Sequence, residues 1–150
     1  MPVYSPTLFP ATRAHEGRWE GTYTHINDSA EIEDQHSSVV HCLFPDDGGE
    51  VFYRQEIIFT WPDGRKRHDV FEGVPRGDAL WYRTPTFEGK SWETDDGIIL
   101  LSLNRLDEPG ARFFEMIVMG ESGEHRARTW HWFRNGRLYR RTLCDERRVA

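Results

Sequence analysis

Glu115, Arg128 and Arg141, set among Phe113, Trp130, Trp132 and Tyr139, are the residues of this chain whose types best suit chemistry on a small molecule. An arginine guanidinium forks onto a carboxylate with paired N–H donors, and large aromatic rings stack an apolar or aromatic body. Together they describe a site for an anionic ligand with an apolar frame. Glu115 can move a proton only where burial raises its pKa; otherwise it makes a buried ion pair with cation–π packing that simply fixes the fold. His25 is the second catalytic candidate, although an interior histidine more often serves as a pocket residue. No catalytic motif is complete. His36 and His41 have opposite parity on one strand, there is no His-x-His and no Gly-rich phosphate loop, so the sequence assembles no metal set and implies no cofactor.

Positioning these side chains falls to a hairpin. Two runs rich in aromatic and β-favouring residues flank Asn135-Gly136, whose tolerance of positive φ suits a two-residue turn. With Arg134 and Arg137 beside the turn, Trp132 lies opposite Tyr139, Trp130 opposite Arg141 and Arg128 opposite Leu143. The turn at Ser122-Gly123 extends the pairing, placing Phe113 against Trp132, Glu115 against Trp130 and Ile117 against Arg128. One face over three strands then mixes aromatics with a carboxylate and arginines, as a ligand cavity does. The opposite face, with Phe114, Met116, Val118, Phe133 and Leu138, is a plainer apolar strip, which a second copy in a homodimer or the N-terminal arm would cover. The first face is expected to be the interior.

The rest of the chain reads as β. Met1 to Glu16 holds three prolines and no sustained period, which predicts an irregular arm with a helical turn near Ala11 to His15, covering one end of the sheet. From Gly17 the pattern predicts about ten strands: Trp19–Ile26, Ser37–Phe44, Val51–Trp61, Lys66–Val74, Ala79–Thr84, Lys90–Thr94, Ile98–Arg105, Arg112–Met119, His125–Arg134 and Arg137–Cys144. Gly97, Gly110, Gly123 and Gly136 are spaced 13 residues apart, the rhythm of an up-and-down meander. A flat sheet of that size leaves two open edges, and closure removes both. The expectation is a single closed antiparallel barrel over 17–150, preceded by an arm over 1–16. Trp19, Gly21, Tyr23 and His25 share parity, so Tyr23 and His25 point inward if Trp19 does. The parity of Tyr53, Gln55 and Tyr82 stays open. Trp61, in Thr60-Trp61-Pro62-Asp63-Gly64-Arg65, reads as a turn anchor without chemistry.

Bulk properties exclude other classes. At 150 residues with 37% hydrophobic and 29% charged residues, the chain suits one globular domain, and six tryptophans, five tyrosines and nine phenylalanines point to an aromatic-lined interior. A net charge of -6 argues against a nucleic-acid footprint, and the short apolar runs against a spanning helix. The opening residues lack the pattern of a secretory signal, which makes a cytoplasmic location the expectation. Cys42 and Cys144, separated by the first strand once the barrel closes, are expected to be free thiols.

Gly17-Arg18-Trp19-Glu20-Gly21 resembles the Gly-x-Trp signature of the lipocalin and fatty-acid-binding (calycin) superfamily. The resemblance implies a tryptophan at the closed barrel end, packed against an arginine of the last strand; Arg140 and Arg141 are available, and the pairing above selects Arg141. The segment of Thr-Asp-Tyr type found in secreted lipocalins is missing, and the chain leaves no room after Cys144 for their C-terminal helix, so a cytosolic bacterial-style calycin is the nearest likeness. What it implies is a small-molecule binding protein, with Tyr23, His25, Phe113, Glu115, Arg128, Trp130, Trp132, Tyr139 and Arg141 around an apolar or aromatic carboxylate. The alternative is a cofactor-independent isomerase, decarboxylase, cyclase or chromophore lyase on the same cavity, by analogy with phenolic-acid decarboxylases and phycobilin lyases, none of whose motifs is matched. Haem binding, as in the nitrobindin branch that shares Gly-x-Trp-x-Gly, is a third reading, and the sequence singles out no histidine ligand for it.

Overall fold

In the computed structural model, which describes residues 4–150, the turn chemistry and alternation resolve into ten strands that pair only with their neighbours in sequence, and the first pairs with the last. The strands are β1 (Gly17–Asn27), β2 (Ile32–Leu43), β3 (Tyr53–Thr60), β4 (Lys66–Arg76), β5 (Ala79–Arg83), β6 (Phe87–Glu93), β7 (Ile99–Arg105), β8 (Ala111–Met119), β9 (His125–Arg134) and β10 (Arg137–Val149). All pairings are antiparallel, so the sheet is a closed ten-stranded meander barrel with no free edge. No helix of the described residues is long and apolar enough to cross a membrane.

The ends of the barrel differ because the arm occupies one of them. A single turn, α1 (Pro10–Arg13), starts on a proline at its first position, where the missing N–H costs nothing. Glu93, at the end of β6, accepts hydrogen bonds from the backbone N–H groups of Ala11 and Thr12 and from the Thr12 hydroxyl. Phe9, Thr12 and His15 are buried, Phe9 packing on Phe52 of the loop before β3. The predicted turn at Ala11 to His15 thus falls one residue early, at Pro10, and its plugging role is seen in these contacts. The other end, ringed by the β1–β2, β3–β4, β5–β6, β7–β8 and β9–β10 connections, remains the mouth.

Register decides which side chains face in. The β8–β9 ladder runs as its turn predicts: Phe113 opposes Trp132, Glu115 opposes Trp130 and Ile117 opposes Arg128. The β9–β10 ladder does not. Asn135 and Gly136 do take positive φ, and Arg134 opposes Arg137 and Phe133 opposes Leu138, but the register then shifts so that Trp132 opposes Arg140, Trp130 opposes Thr142 and Arg128 opposes Cys144. Tyr139 is the inserted residue of a β-bulge, and one extra residue reverses every face beyond it. β10 also continues to Val149, five residues past the predicted end at Cys144. Its inward row is therefore Thr142, Cys144 and Glu146, all buried, while Leu143 and Asp145 are exposed. On the outer wall Met116, Val118 and Leu138 of the expected apolar strip are exposed, Phe114 and Phe133 are half-buried, and α1 lies elsewhere.

Candidate functional site

The closed end supplies the floor. Trp19 is fully buried; its indole N–H donates to the His15 carbonyl at 2.9 Å, and the guanidiniums of Arg126 and Arg148 lie 4.6 and 4.4 Å from its ring. An arginine of the last strand does pack on this tryptophan, but it is Arg148 and not Arg141. Gly21 explains the second glycine of the motif: a Cβ there would fall 2.6 Å from the Asp145 carbonyl oxygen and from Glu146 Cγ, so only glycine lets β1 approach β10 this closely.

Above Trp19 lies a buried charge network. Arg126 Nε donates to Glu146 at 2.6 Å, and Arg128 Nε donates to Glu115 at 2.8 Å. Arg126 Nη1 also contacts His15 Nδ1 at 3.1 Å; because a guanidinium can only donate, this nitrogen is the acceptor and the His15 proton sits on Nε2. Burial, reinforced by Arg126, pushes the His15 pKa down to about 3, so the ring is neutral. Burial raises the Glu115 pKa against the opposing pull of Arg128. Arg128 Nη1 and Glu146 Oε2 face each other at 3.6 Å, and each lacks a hydrogen-bond partner, as does Arg126 Nη2. A buried group left so is expensive unless something else meets it.

Between floor and mouth is a cavity of about 680 Å³. Tyr23, Tyr53, Tyr82, Phe113 and Trp130 line it, and Arg128 lies 4.7 Å from the Trp130 ring and 5.7 Å from Tyr23. Burial lifts the Tyr23, Tyr53 and Tyr82 hydroxyls well above the usual phenol range, so they act as neutral hydrogen-bonding groups. Phe87, Phe113 and Trp132 form a continuous edge, with ring centroids at 5.4 and 4.9 Å. Arg67, Arg105 and Arg140 stand around the rim, paired with Asp69, Asp107 and Glu33.

Near the mouth, β1 and β2 bring His25, Asp34 and His36 together. His25 and Asp34 are opposed in the ladder, just before a register shift at Ile26, and His36 follows Asp34 on the same face. His36 Nδ1 lies 3.0 Å from Asp34 Oδ2, which also accepts from the Trp61 indole N–H at 3.2 Å. Trp61 stacks on His36 with centroids 4.3 Å apart, so the predicted turn anchor is in fact part of the cavity wall. His25 Nδ1 lies 2.6 Å from the Thr142 hydroxyl, which accepts from the Trp132 indole at 2.8 Å. Burial, helped by Arg140, takes the His25 pKa down to about 4, and burial lowers His36 despite its carboxylate partner. Asp34, for all its partial burial, is held below the usual carboxylate range by Trp61 and His36.

Of the residues proposed from sequence, Tyr23, His25, Phe113, Glu115, Arg128, Trp130 and Trp132 line the cavity. Tyr139 and Arg141 do not. Tyr139 sits in the bulge with the Arg134 guanidinium 3.9 Å from its ring, and Arg141 opposes His131 on the outer face. Tyr53, Gln55 and Tyr82, of open parity in the sequence, all reach the cavity. Sequence reasoning missed Glu146, Arg126 and the His25–Asp34–His36 group. It ended the last strand too soon for Glu146, and it began the second strand at Ser37 although β2 starts at Ile32, which hid Asp34 and His36 from the pairing with β1. Cys42 and Cys144 are free and buried on either side of β1, as expected.

The barrel is shared with solved structures. A protein of unknown function from the DUF3598 family of Nostoc punctiforme superposes with a TM-score of 0.70 at 18% identity over 99% of this chain; the chain spans about half (51%) of that protein's length. The S-type phycobiliprotein lyase CPES of Guillardia theta matches with a TM-score of 0.72 at 13% identity, over 99% of both chains. EF1p2_mFAP2b bound to DFHBI matches at 0.50 and 12% identity, over 95% of this chain and 99% of that one. These likenesses establish the fold. No protein-family model matches the sequence, and no curated protein sequence matches it.

Proposed function

We propose that this barrel is a calycin-like small-molecule binding protein that holds an apolar or aromatic ligand in its cavity, with an anionic group of the ligand met by Arg128. The observation that carries the reading is the floor: Arg128 is buried and lines a cavity of about 680 Å³ beneath walls of aromatic rings, and its Nη1, 3.6 Å from Glu146, makes no hydrogen bond among the described residues. Two similar barrels support it, one a phycobiliprotein lyase and the other bound to DFHBI. With two arginines facing two glutamates the floor is balanced, and an added carboxylate would leave excess negative charge. Burial raises the Glu115 pKa against the pull of Arg128, so of the floor carboxyls Glu115 is the one that an added ligand anion would drive to take up a proton.

Tryptophan fluorescence titrated with aromatic and fatty carboxylates reads this directly, because Trp130 and Trp132 are in the wall. Losing a buried charge-assisted hydrogen bond of about 1.5–3 kcal/mol weakens binding about 10- to 100-fold. Because Arg128→Ala alone would strand Glu115, the paired Arg128→Met/Glu115→Leu variant is the one to compare, with Arg141→Ala, outside the cavity, expected to bind like the parent. The proposal fails if no carboxylate perturbs the signal, or if the paired variant binds as tightly as the parent. The competing enzyme reading has one specific support, a buried carboxyl with a raised pKa in the cavity. Glu115→Gln separates them: turnover abolished with binding kept would make Glu115 the acid–base group.

A further inference from the structure

We propose that His25, Asp34 and His36 form a binding site for one divalent first-row transition-metal ion at the mouth of the barrel, with the open side of the ion facing the cavity. This goes beyond the ligand reading and does not depend on it. One ligand atom from each residue lies within 4.8 Å of the other two; Asp34 Oδ2 is 3.0 Å from His36 Nδ1 and 4.0 Å from His25 Nε2. Around an ion with bonds of about 2.0–2.2 Å, ligand atoms stand about 3–4 Å apart, so both distances to the carboxylate already fit and the two imidazole nitrogens, within 4.8 Å, close the set with side-chain movements of about an ångström.

Several features separate this group from a chance contact of polar side chains. The donor positions are held in the sheet, His25 paired with Asp34 on one side and Thr142 on the other and His36 paired with Tyr23, with the β1–β2 register shifting just beyond His25. Among the described residues His25 Nε2 has no hydrogen-bond partner, and it stands 4.0 Å from the carboxylate, too far for one, while Nδ1 on the other side of the ring meets Thr142. The other nitrogen, Nδ1, is held by Thr142, itself fixed by Trp132, and Asp34 is held by Trp61. Outer hydrogen bonds of this kind orient metal-binding imidazoles and carboxylates. Two imidazoles and one carboxylate suit zinc, iron(II) or manganese(II), while an all-oxygen ion such as calcium would need more carboxylates and carbonyls than this site offers.

The experiment uses the untagged full chain, stripped with a chelator and titrated with zinc in competition with a chromogenic chelator, and separately with cobalt(II) followed by its visible ligand-field absorption. The expected result is one equivalent bound. Thr142→Val, which removes the support of His25, should weaken binding about 10- to 100-fold. His25→Ala, His36→Ala and Asp34→Asn should each weaken it more, and His131→Ala, on the outer wall, should leave it unchanged. Each variant is checked for a cooperative melt. Asp34→Asn, the most conservative change at the partly exposed position, carries the comparison if a histidine variant does not fold. Absence of stoichiometric binding by the parent overturns the proposal, and so does parent-like affinity in Asp34→Asn or in the His25→Ala/His36→Ala pair.

Discussion

At the scale of single residues, His15 shows how the barrel floor makes stability depend on pH. Its ring accepts from Arg126 and is buried, and its pKa falls from the ordinary 6.5 to about 3. The unfolded chain therefore binds a proton below about pH 6.5 that the folded protein refuses until about pH 3. Folding stability contributed by this site is complete above the upper value and declines as pH falls through the window, by up to about 1.4 kcal/mol per pH unit. His15→Asn keeps a carbonyl oxygen that can accept from Arg126 and removes the titration. Urea unfolding at pH 7 and pH 4.5 should show the parent losing more stability than the variant between the two conditions; parallel losses would mean that His15 is not the neutral acceptor described. All other ionisable groups are common to both proteins, which is why the difference, and not either curve alone, reports His15.

Among the elements, β10 is the one whose behaviour the sequence conceals, because an inserted residue reverses its faces. Tyr139 is the extra residue, and the pairing of Arg140 with Trp132 resumes beyond it. Deleting Tyr139 should close the ladder while leaving Thr142, Cys144 and Glu146 inward, at a cost confined to its contacts with Arg134 and Arg140. Deleting Leu143 instead removes a residue from the regular part of the strand and turns one side of the inward row outward. Taking Glu146 from Arg126 strands a buried charge, a loss of about 3–5 kcal/mol. Thermal melts should therefore show the Tyr139 deletion close to the parent and the Leu143 deletion strongly destabilised or unfolded. The same bulge explains the limits of reading this hairpin from sequence. Asn135-Gly136 announces its turn through backbone chemistry, and the β8–β9 ladder, free of insertions, follows its turn residue by residue. Tyr139 carries no mark of a bulge: an aromatic residue is as suited to the regular strand. The unshifted register accordingly draws Arg141 inward, whereas Arg128, Trp130 and Glu115, positioned by the β8–β9 ladder, lie where the alternation puts them.

The molecule as a whole is legible for a different reason: closure follows from counting edges, and edges do not depend on which face of a strand is inside. Ten strands joined by tight turns can hide their ends only by pairing the first with the last, and β1 meets β10 over ten residue pairs from Arg18–Val149 to Asn27–Arg140. That seam also joins the two thiols to the fold. Cys42 and Cys144 are almost inaccessible, on the strands that flank β1, and burial, aided by Glu146, pushes the Cys144 thiol up to about 12. Neither thiol has the exposure, and Cys144 lacks the thiolate fraction, needed for reaction while the barrel is shut. Because each strand is held by both neighbours, peeling β1 away breaks two ladders and uncovers Trp19, so the seam should not open by itself; exposure of both thiols should accompany global unfolding. In rising urea, a disulfide-exchange reagent such as DTNB should label the two cysteines with one midpoint, coincident with the tryptophan-fluorescence transition. Labelling of Cys144 or Cys42 well before that transition would show that the β1 seam frays independently, and that the barrel behaves as a curled sheet with a weak join.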